Sequence, residues 1–277
     1  LFYYDEEYDF EGMRNFVKRH PSIRPKLILS VCGSSAKIVG GCRGCMEFCF
    51  TIKGHSAHAS RTHLGRSAIK AMYFITEAVT GWCKDQNGPY RTSCNIAAVH
   101  AGTLRSKDVP QPKSGDHPTK SIPQMRESAT KVPNVAWTHI DIRPGGPQVT
   151  IQAVKNVIEK ALAQWNDIQN IKHGEHKPAT LEMFYPRFEV SGYASPENSF
   201  KAIEEDFQKV HKGVFADPSE HGYVDVAMMA SRDPSCGAVI MSPKRGNEHA
   251  ADEWIDIESL QADRDGVVKL LSRYKKS

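Results

Sequence analysis

The order of apolar patterns between residues 46 and 188 constrains the fold of this chain more than any other feature of its sequence. Residues 46–53 alternate between apolar and polar side chains, which predicts a strand with one buried face. Residues 68–79 then carry apolar side chains at the spacing of one helical stripe. The loop between these two elements contains His55 and His58, whose side chains can therefore face a ligand or another subunit.

Four further elements complete this segment. Strands are predicted at residues 92–100, 135–142 and 179–188, and a helix at residues 149–165. The resulting order is strand, helix, strand, strand, helix, strand. It is typical of a ferredoxin-like sandwich, in which a four-stranded antiparallel sheet carries two helices on one face. The residues from 103 to 131 are rich in Lys, Ser, Pro and Gln without periodicity, and they predict a long, mobile polar loop.

The chain has α/β character on both sides of this segment. Flanking helices are predicted at residues 12–20, after Ser195-Pro196 and at residues 260–274, and apolar strands at residues 1–4, 26–31 and 237–241. A chain of 277 residues also exceeds the usual size of a single core. We therefore expect an α/β domain formed by residues 1–45 and 189–277, interrupted by a ferredoxin-like domain at residues 46–188.

Charge and hydropathy argue against two classes of partner. A formal net charge of +4 is too small to indicate nucleic-acid binding, and no block of Lys and Arg is interleaved with aromatic residues. No apolar run in the sequence is as long as a membrane span. We therefore expect neither nucleic acid nor a membrane among the partners of this chain.

The seven cysteines favour reduced thiols in a cytoplasmic protein, because their number is odd and their spacing is not that of a disulfide framework. Cys42 and Cys45 form a Cys-x-x-Cys pair, which leaves a redox or structural zinc site as an alternative. A structural zinc needs four ligands, however, and a thioredoxin-type pair opens a helix. Here no second pair stands at the required spacing, and an alternating strand follows.

Several polar motifs are distributed along the whole chain. They are Asp5-Glu6-Glu7, then Arg43-Gly44 with Gly54, His58-Ala59-Ser60 and Gly65-x-x-Ala68, then Asp141-Ile142-Arg143, and finally His249 with Asp252-Glu253. Three adjacent carboxylates at the end of a strand are costly unless solvent, a base or a metal compensates them. In this order, the motifs resemble one family of enzymes: the zinc-dependent aminoacylases, acetylornithine deacetylases, succinyl-diaminopimelate desuccinylases and glutamate carboxypeptidases.

The resemblance implies a metal centre and a general base. In such enzymes a pair of zinc ions, or of cobalt or manganese ions, shares a bridging carboxylate and activates the water that attacks an amide carbonyl. Glu6 matches the general base, which passes a proton to the leaving amine. Glu7 and His249 match two ligands of one metal. Cys32 stands where an acidic ligand of the other metal is expected, and a thiolate can also bind zinc.

The resemblance also implies a substrate site that two subunits share. Arg143 matches a guanidinium that binds a substrate carboxylate through two parallel hydrogen bonds, and Asp225 matches a second residue of the substrate site. His58 matches the histidine that reaches into the partner subunit's site to stabilise the tetrahedral oxyanion. We therefore expect a homodimer, paired through the ferredoxin-like domain, that hydrolyses an N-acyl amino acid or a peptide with a free carboxylate.

One departure from the family pattern leaves two interpretations open. The family's first metal motif, a His-x-Asp pair, and its bridging Asp lie upstream of the Glu-Glu pair, where this chain has only residues 1–5. The chain is either a piece of a longer enzyme or a non-catalytic dimeric relative that lacks a complete metal site. We expect the first, because a domain that started inside a strand would leave an open sheet edge and an uncovered core.

Overall fold

A computed structural model describes residues 10–31, 37–88, 90–174, 176–196, 205, 214–215, 225–233, 235–248 and 250–274. Within this part of the chain, Cys45–Val190 forms one compact unit, and the described residues on either side of it belong to a second. The domain boundaries expected from the sequence were residues 46 and 188. The two units are described separately below.

The helices of the described residues are α1 (Glu11–Arg19), α2 (Ala68–Lys84), α3 (Ile151–His173), α4 (Val226–Ala230) and α5 (Ile257–Tyr274). The strands are β1 (Leu27–Ser30), β2 (Lys37–Val39), β3 (Gly41–Cys42), β4 (Cys45–Lys53), β5 (Ser93–Leu104), β6 (Met125–Arg126), β7 (Val135–Arg143), β8 (Thr180–Val190), β9 (Tyr193–Ala194), β10 (Val214–Phe215), β11 (Gly237–Met241), β12 (Arg245–Gly246) and β13 (Trp254–Ile255). Short 3-10 turns lie at Ala59–Leu64 and Pro118–Ser121. No helix in this part of the chain is both long and apolar enough to cross a membrane.

The inserted unit is an antiparallel sheet in the order β6-β5-β7-β4-β8, with α2 and α3 packed on one face. Apart from the two-residue strand β6, this is the predicted four-stranded ferredoxin-like arrangement. One side of β4 is fully buried against the helices; its residues are Met46, Phe48, Phe50 and Ile52. Side-chain caps set where the helices begin, because the Ser67 and Thr150 hydroxyls accept hydrogen bonds from the first turns of α2 and α3.

The second face of this sheet is covered by the segment between β5 and β6. A small apolar cluster forms there from Cys49, Trp137 and Met183 of the sheet and Val109 of the segment. The Trp137 indole N–H donates to the Ser121 hydroxyl at 2.7 Å, which ties the segment to the middle of the sheet. The expectation of a mobile loop is therefore not supported. The apolar residues of this segment are few and irregularly spaced, so the sequence contained no periodic pattern that predicted their burial.

The second unit contains a four-stranded mixed sheet in the order β1-β11-β2-β10. Every residue of β11 is buried, and β1 pairs with it in parallel, as expected for a short apolar strand inside an α/β sheet. A cluster of Ile38, Val239, Met241 and Leu270 joins this sheet to α5. The strand predicted at residues 1–4 and the helix predicted after Ser195-Pro196 lie outside the described residues.

Candidate functional site

His58 lies in the loop between β4 and α2, and its side chain is exposed. Its Nδ1 atom accepts a hydrogen bond from the Ser60 backbone N–H at 3.2 Å and lies 2.8 Å from the Ser60 hydroxyl. A ring nitrogen that accepts from a backbone N–H carries no proton itself. The neutral imidazole therefore holds its proton on Nε2, where it can be donated to a group outside the loop.

The backbone on either side of His58 is held by the segment that precedes β7. The Ala57 carbonyl accepts from Val132 N–H at 2.8 Å, and Ala59 N–H donates to the Thr130 carbonyl at 2.9 Å. These bonds belong to an isolated antiparallel bridge between His58 and Lys131. The exposed imidazole thus projects from a braced backbone, so little freedom is lost when it meets a ligand.

Arg143 ends β7, and its guanidinium is 34% exposed. Its Nε donates to Asp141 Oδ1 at 2.9 Å, while the buried Cys45 thiol donates to the other oxygen of Asp141 at 3.7 Å. No described residue accepts a hydrogen bond from the terminal nitrogens of Arg143. The paired N–H groups of a guanidinium match the two oxygens of a carboxylate, so this end of β7 can bind an anionic substrate.

Cys45 does not have the environment of a reactive thiol. Burial is the main reason that the pKa of its thiol lies far above the ordinary value, and the Asp141 carboxylate acts in the same direction. Cys42 is buried as well. A redox or metal-binding cysteine needs thiolate character, which the position of Cys45 disfavours. The Cys-x-x-Cys alternative therefore has no support in the geometry.

A charge network that the sequence analysis missed lies beside Asp141. Glu47 pairs with Asp141 across β4 and β7, and it accepts hydrogen bonds from Arg187 at 2.6 Å and His139 at 3.3 Å. Burial raises the pKa of Glu47, but the hydrogen bonds from His139 and Arg187 outweigh it, so the pKa lies below its ordinary value. The alternation of β4 and β7 places Glu47 and His139 on the polar side of their strands, but it does not show that they meet Arg187 of β8.

One chain does not bring His58 and Arg143 together. Ile142, next to Arg143, pairs with Met46 at the start of β4, whereas His58 follows Lys53 at its end. A nine-residue strand spans roughly 27 Å. A site that used both side chains on one small substrate would therefore need His58 from a second copy of the chain.

Of the other predicted site residues, only Asp225 lies within the described part of the chain. Asp225 is fully buried and directly precedes α4 in the second unit. Glu6, Glu7, Cys32 and His249 lie outside the described residues. Within the described part of the chain, no group of three or more His, Cys, Asp and Glu side chains could hold a metal ion. The ligand set inferred from the resemblance thus stays a prediction.

The chain resembles known proteins in sequence and in fold. Residues 41–170 match the family model described as the peptidase dimerisation domain. The inserted unit is therefore similar to a peptidase dimerisation domain over these residues. The match begins just before β4 and ends within α3, so it contains both His58 and Arg143. No curated protein sequence matches the chain.

Solved structures extend the likeness beyond the dimerisation domain. A tripeptidase from Staphylococcus aureus has a TM-score of 0.65 at 15% identity, over 99% of this chain and 63% of the other. Aminopeptidase PepT from Bacillus cereus has a TM-score of 0.63 at 16% identity, over 96% and 61%. The dipeptidase Dug1p from Saccharomyces cerevisiae has a TM-score of 0.61 at 11% identity, over 98% and 64%.

These likenesses establish the fold, since the identities are low. The chain spans about three fifths of the length of the structures that it matches. The resemblance found in the sequence is confirmed for the dimerisation domain and for the mixed α/β fold that carries it.

Proposed function

We propose that this protein is a metal-dependent hydrolase that cleaves an amide bond in a small substrate with a free carboxylate, and that it acts as a homodimer. The observation that supports the proposal is that one domain bears two side chains, His58 and Arg143, whose donor groups are already oriented by hydrogen bonds. His58 offers a fixed, outward N–H donor, and Arg143 offers a guanidinium oriented by Asp141. An oxyanion and a carboxylate are the groups that these two side chains suit.

Each residue then has a defined task. Arg143 binds the substrate carboxylate, Asp225 belongs to another part of the substrate site, and His58 donates its Nε2 proton in a hydrogen bond to the oxyanion in the partner's site. Glu6 takes a proton from the attacking water and delivers it to the leaving amine. Glu7, His249 and Cys32 offer carboxylate, imidazole and thiolate donors, which fit zinc in kind and are less typical of cobalt or manganese. A bound zinc would polarise the amide carbonyl and make the water acidic.

The edge of the sheet supports the homodimer. Within the described residues, β5 pairs with β7 along its length but with β6 only at Thr103 and Leu104. The rest of that edge is therefore open to pairing with another strand. Val99 on this strand is 52% exposed, which also suits a contact between copies.

Subunit complementation tests the shared site. Glu6→Gln and His58→Ala should each abolish most turnover, since each variant lacks one part of every site. A mixed dimer of the two variants contains one intact site, so an equal mixture that exchanges subunits should recover about a quarter of wild-type turnover. If exchanged dimers form and recover nothing, His58 does not act across the dimer.

Metal content and a substrate panel separate the hydrolase from the non-catalytic relative. The panel contains N-acetyl, N-succinyl and N-carbamoyl amino acids together with dipeptides, assayed with added zinc or cobalt. The intact hydrolase should bind about two zinc ions per chain and cleave one class, whether as a deacetylase, desuccinylase, aminoacylase or peptidase. Absence of metal together with absence of turnover after zinc addition would establish the dimeric binding protein instead.

We also place the protein in the cytoplasm. The described cysteines are all free, the neighbouring Cys83 and Cys94 among them. Such neighbouring thiols persist in a reducing compartment. Fractionation of cells that produce the protein would check this placement.

A further inference from the structure

Arg66 is the one large charged side chain that is fully buried among the described residues, at 1% exposure. No described carboxylate pairs with it, and its Nε has no hydrogen-bond partner. Burial lowers its pKa below the ordinary value, as expected for a cation removed from water. A buried cation without a counter-ion destabilises a fold unless other groups compensate it, so its presence calls for a physical reason.

The compensation comes from the C-terminal end of α3. One terminal nitrogen of Arg66 donates to Asn170 Oδ1 at 2.9 Å and to the Gly174 carbonyl at 3.1 Å, and the other donates to the Gly65 carbonyl at 3.2 Å. The last carbonyls of a helix carry partial negative charge and lack partners within the helix. The guanidinium therefore caps α3 and fastens the chain at residue 66 to it.

The backbone of the same residue closes the loop that carries His58. Arg66 N–H donates to the His55 carbonyl and the Arg66 carbonyl accepts from His55 N–H, both at 2.8 Å. The two backbone segments approach so closely that a Cβ atom at Gly54 would lie 2.0 Å from the Arg66 carbonyl oxygen. Arg66 is thus the point where the base of the loop joins a rigid helix.

We propose that Arg66 is a positioning residue for His58: its guanidinium anchors the base of the loop to α3, and this anchor sets the orientation of the imidazole. The proposal rests on the function proposed above for its catalytic consequence. Its structural consequence is independent, because the tautomer of His58 depends on the Ser60 N–H meeting Nδ1. Loss of the anchor lets the loop rearrange and releases that hydrogen bond.

The first readout is the His58 tautomer in the full chain, measured by NMR with labelled histidine and assigned by loss of one signal in His58→Gln. The wild type should show the neutral ring with its proton on Nε2. Arg66→Met should show a mixture of both tautomers, and Arg66→Lys should restore part of the wild-type signal, because an ammonium can reach one of the α3 acceptors. Arg105→Met removes an exposed positive charge and should change nothing.

The second readout is a double-mutant cycle on turnover. Arg66→Met should lower kcat about 10- to 100-fold with little change in KM, since misplacing a catalytic group by about 1 Å has an effect of that size. In a His58→Ala background the same substitution should change kcat less than about twofold, because the group that it positions is gone. A purely structural role would give equal losses in both backgrounds.

The outcomes separate the two proposals. A folded Arg66→Met variant with the wild-type tautomer, or with equal kcat losses in both backgrounds, overturns the positioning role. If Arg66→Met does not fold, Asn170→Ala removes one of its acceptors and must shift the tautomer in the same direction. A shifted tautomer in a protein that hydrolyses none of the substrate panel leaves the positioning role standing and refutes the hydrolase.

Discussion

At the scale of single residues, the polar face of the sheet in the inserted unit holds two carboxylates side by side. Glu47 and Asp141 pair across β4 and β7, an arrangement that repels unless cations lie nearby. Arg187 and Arg143 each take one of them as a partner. The sheet thus orients Arg143 through the same charges that stabilise this face, so the proposed substrate binding should depend on them.

Glu47→Gln should lower the free energy of unfolding by about 1–3 kcal/mol at pH 7, because it removes the ion pair between Glu47 and the largely buried Arg187. The pKa of Glu47 in the folded state lies below its ordinary value. Its contribution is therefore complete above the unfolded pKa, about 4.3, and is lost as the pH falls through the folded pKa. Urea unfolding at pH 7, 5 and 3 should show a shallower acid loss in the variant than in the wild type.

The control is Glu159→Gln, which removes an exposed carboxylate that lies 3.8 Å from Lys155. This change should cost less than about 0.5 kcal/mol at any of these pH values. Equal losses in the two variants would mean that the network around Glu47 contributes nothing particular.

Asp141→Asn should weaken substrate binding through Arg143. Without the carboxylate at 2.9 Å, the Nε of Arg143 loses its charged partner and the guanidinium samples more orientations. We expect KM for the carboxylate substrate to rise about tenfold while kcat changes less, since the lost interaction is present in the ground state. Steady-state kinetics measures this, with the exposed Asp108→Asn as the matched change. An unchanged KM would show that Arg143 needs no orientation by Asp141.

At the scale of elements, the segment between β5 and β6 determines how the second face of the sheet is covered. Ser121 is fully buried, accepts from the Trp137 indole and donates to the Pro118 carbonyl at 2.6 Å. The Tyr185 hydroxyl lies within hydrogen-bond distance of the carbonyls of Lys113 and Asp116. A polar segment is thereby held by a few directional bonds around a small apolar cluster.

Ser121→Ala tests this description. It removes the acceptor of a buried indole N–H, so the free energy of unfolding should fall by about 1–3 kcal/mol. Protease cleavage between residues 105 and 124 should also become faster. Ser106→Ala alters an exposed serine of the same segment, whose hydroxyl accepts only from Asp108 N–H at 3.3 Å, and should leave both properties unchanged. Faster cleavage in both variants would indicate a segment that is not fastened by Ser121.

At the scale of the whole molecule, the open edge at β5 predicts how two copies meet. Val99→Lys places a charge on this edge, which should raise the dimer dissociation constant at least about tenfold while the chain stays folded. Light scattering after size-exclusion chromatography measures the mass. Ile171→Lys changes a side chain that is 85% exposed at the end of α3, and it should leave the mass of the dimer unchanged. If Ile171→Lys dissociated the dimer and Val99→Lys did not, the interface would lie on the helices and not at the β5 edge.

The candidate site could be predicted from the sequence only in part. His58 and Arg143 were predicted because they stand in motifs whose order is recognisable along the chain. Arg66 was not, since a single arginine before a helix has no signal that distinguishes burial from exposure. Glu47, His139 and Arg187 were missed because their meeting depends on the register of three strands, one of which contains a bulge beside Glu47.

The sequence by itself determined the elements of the dimerisation domain and their order, because alternation and helical spacing are local properties of neighbouring residues. It could not determine which face the segment from 105 to 124 covers, or that a buried arginine fastens the His58 loop to α3. Those features arise from contacts between residues far apart in the chain, as between Arg66 and Asn170. Only the tertiary structure decided them, and it placed His58 and Arg143 at opposite ends of β4, where a shared site requires a second subunit.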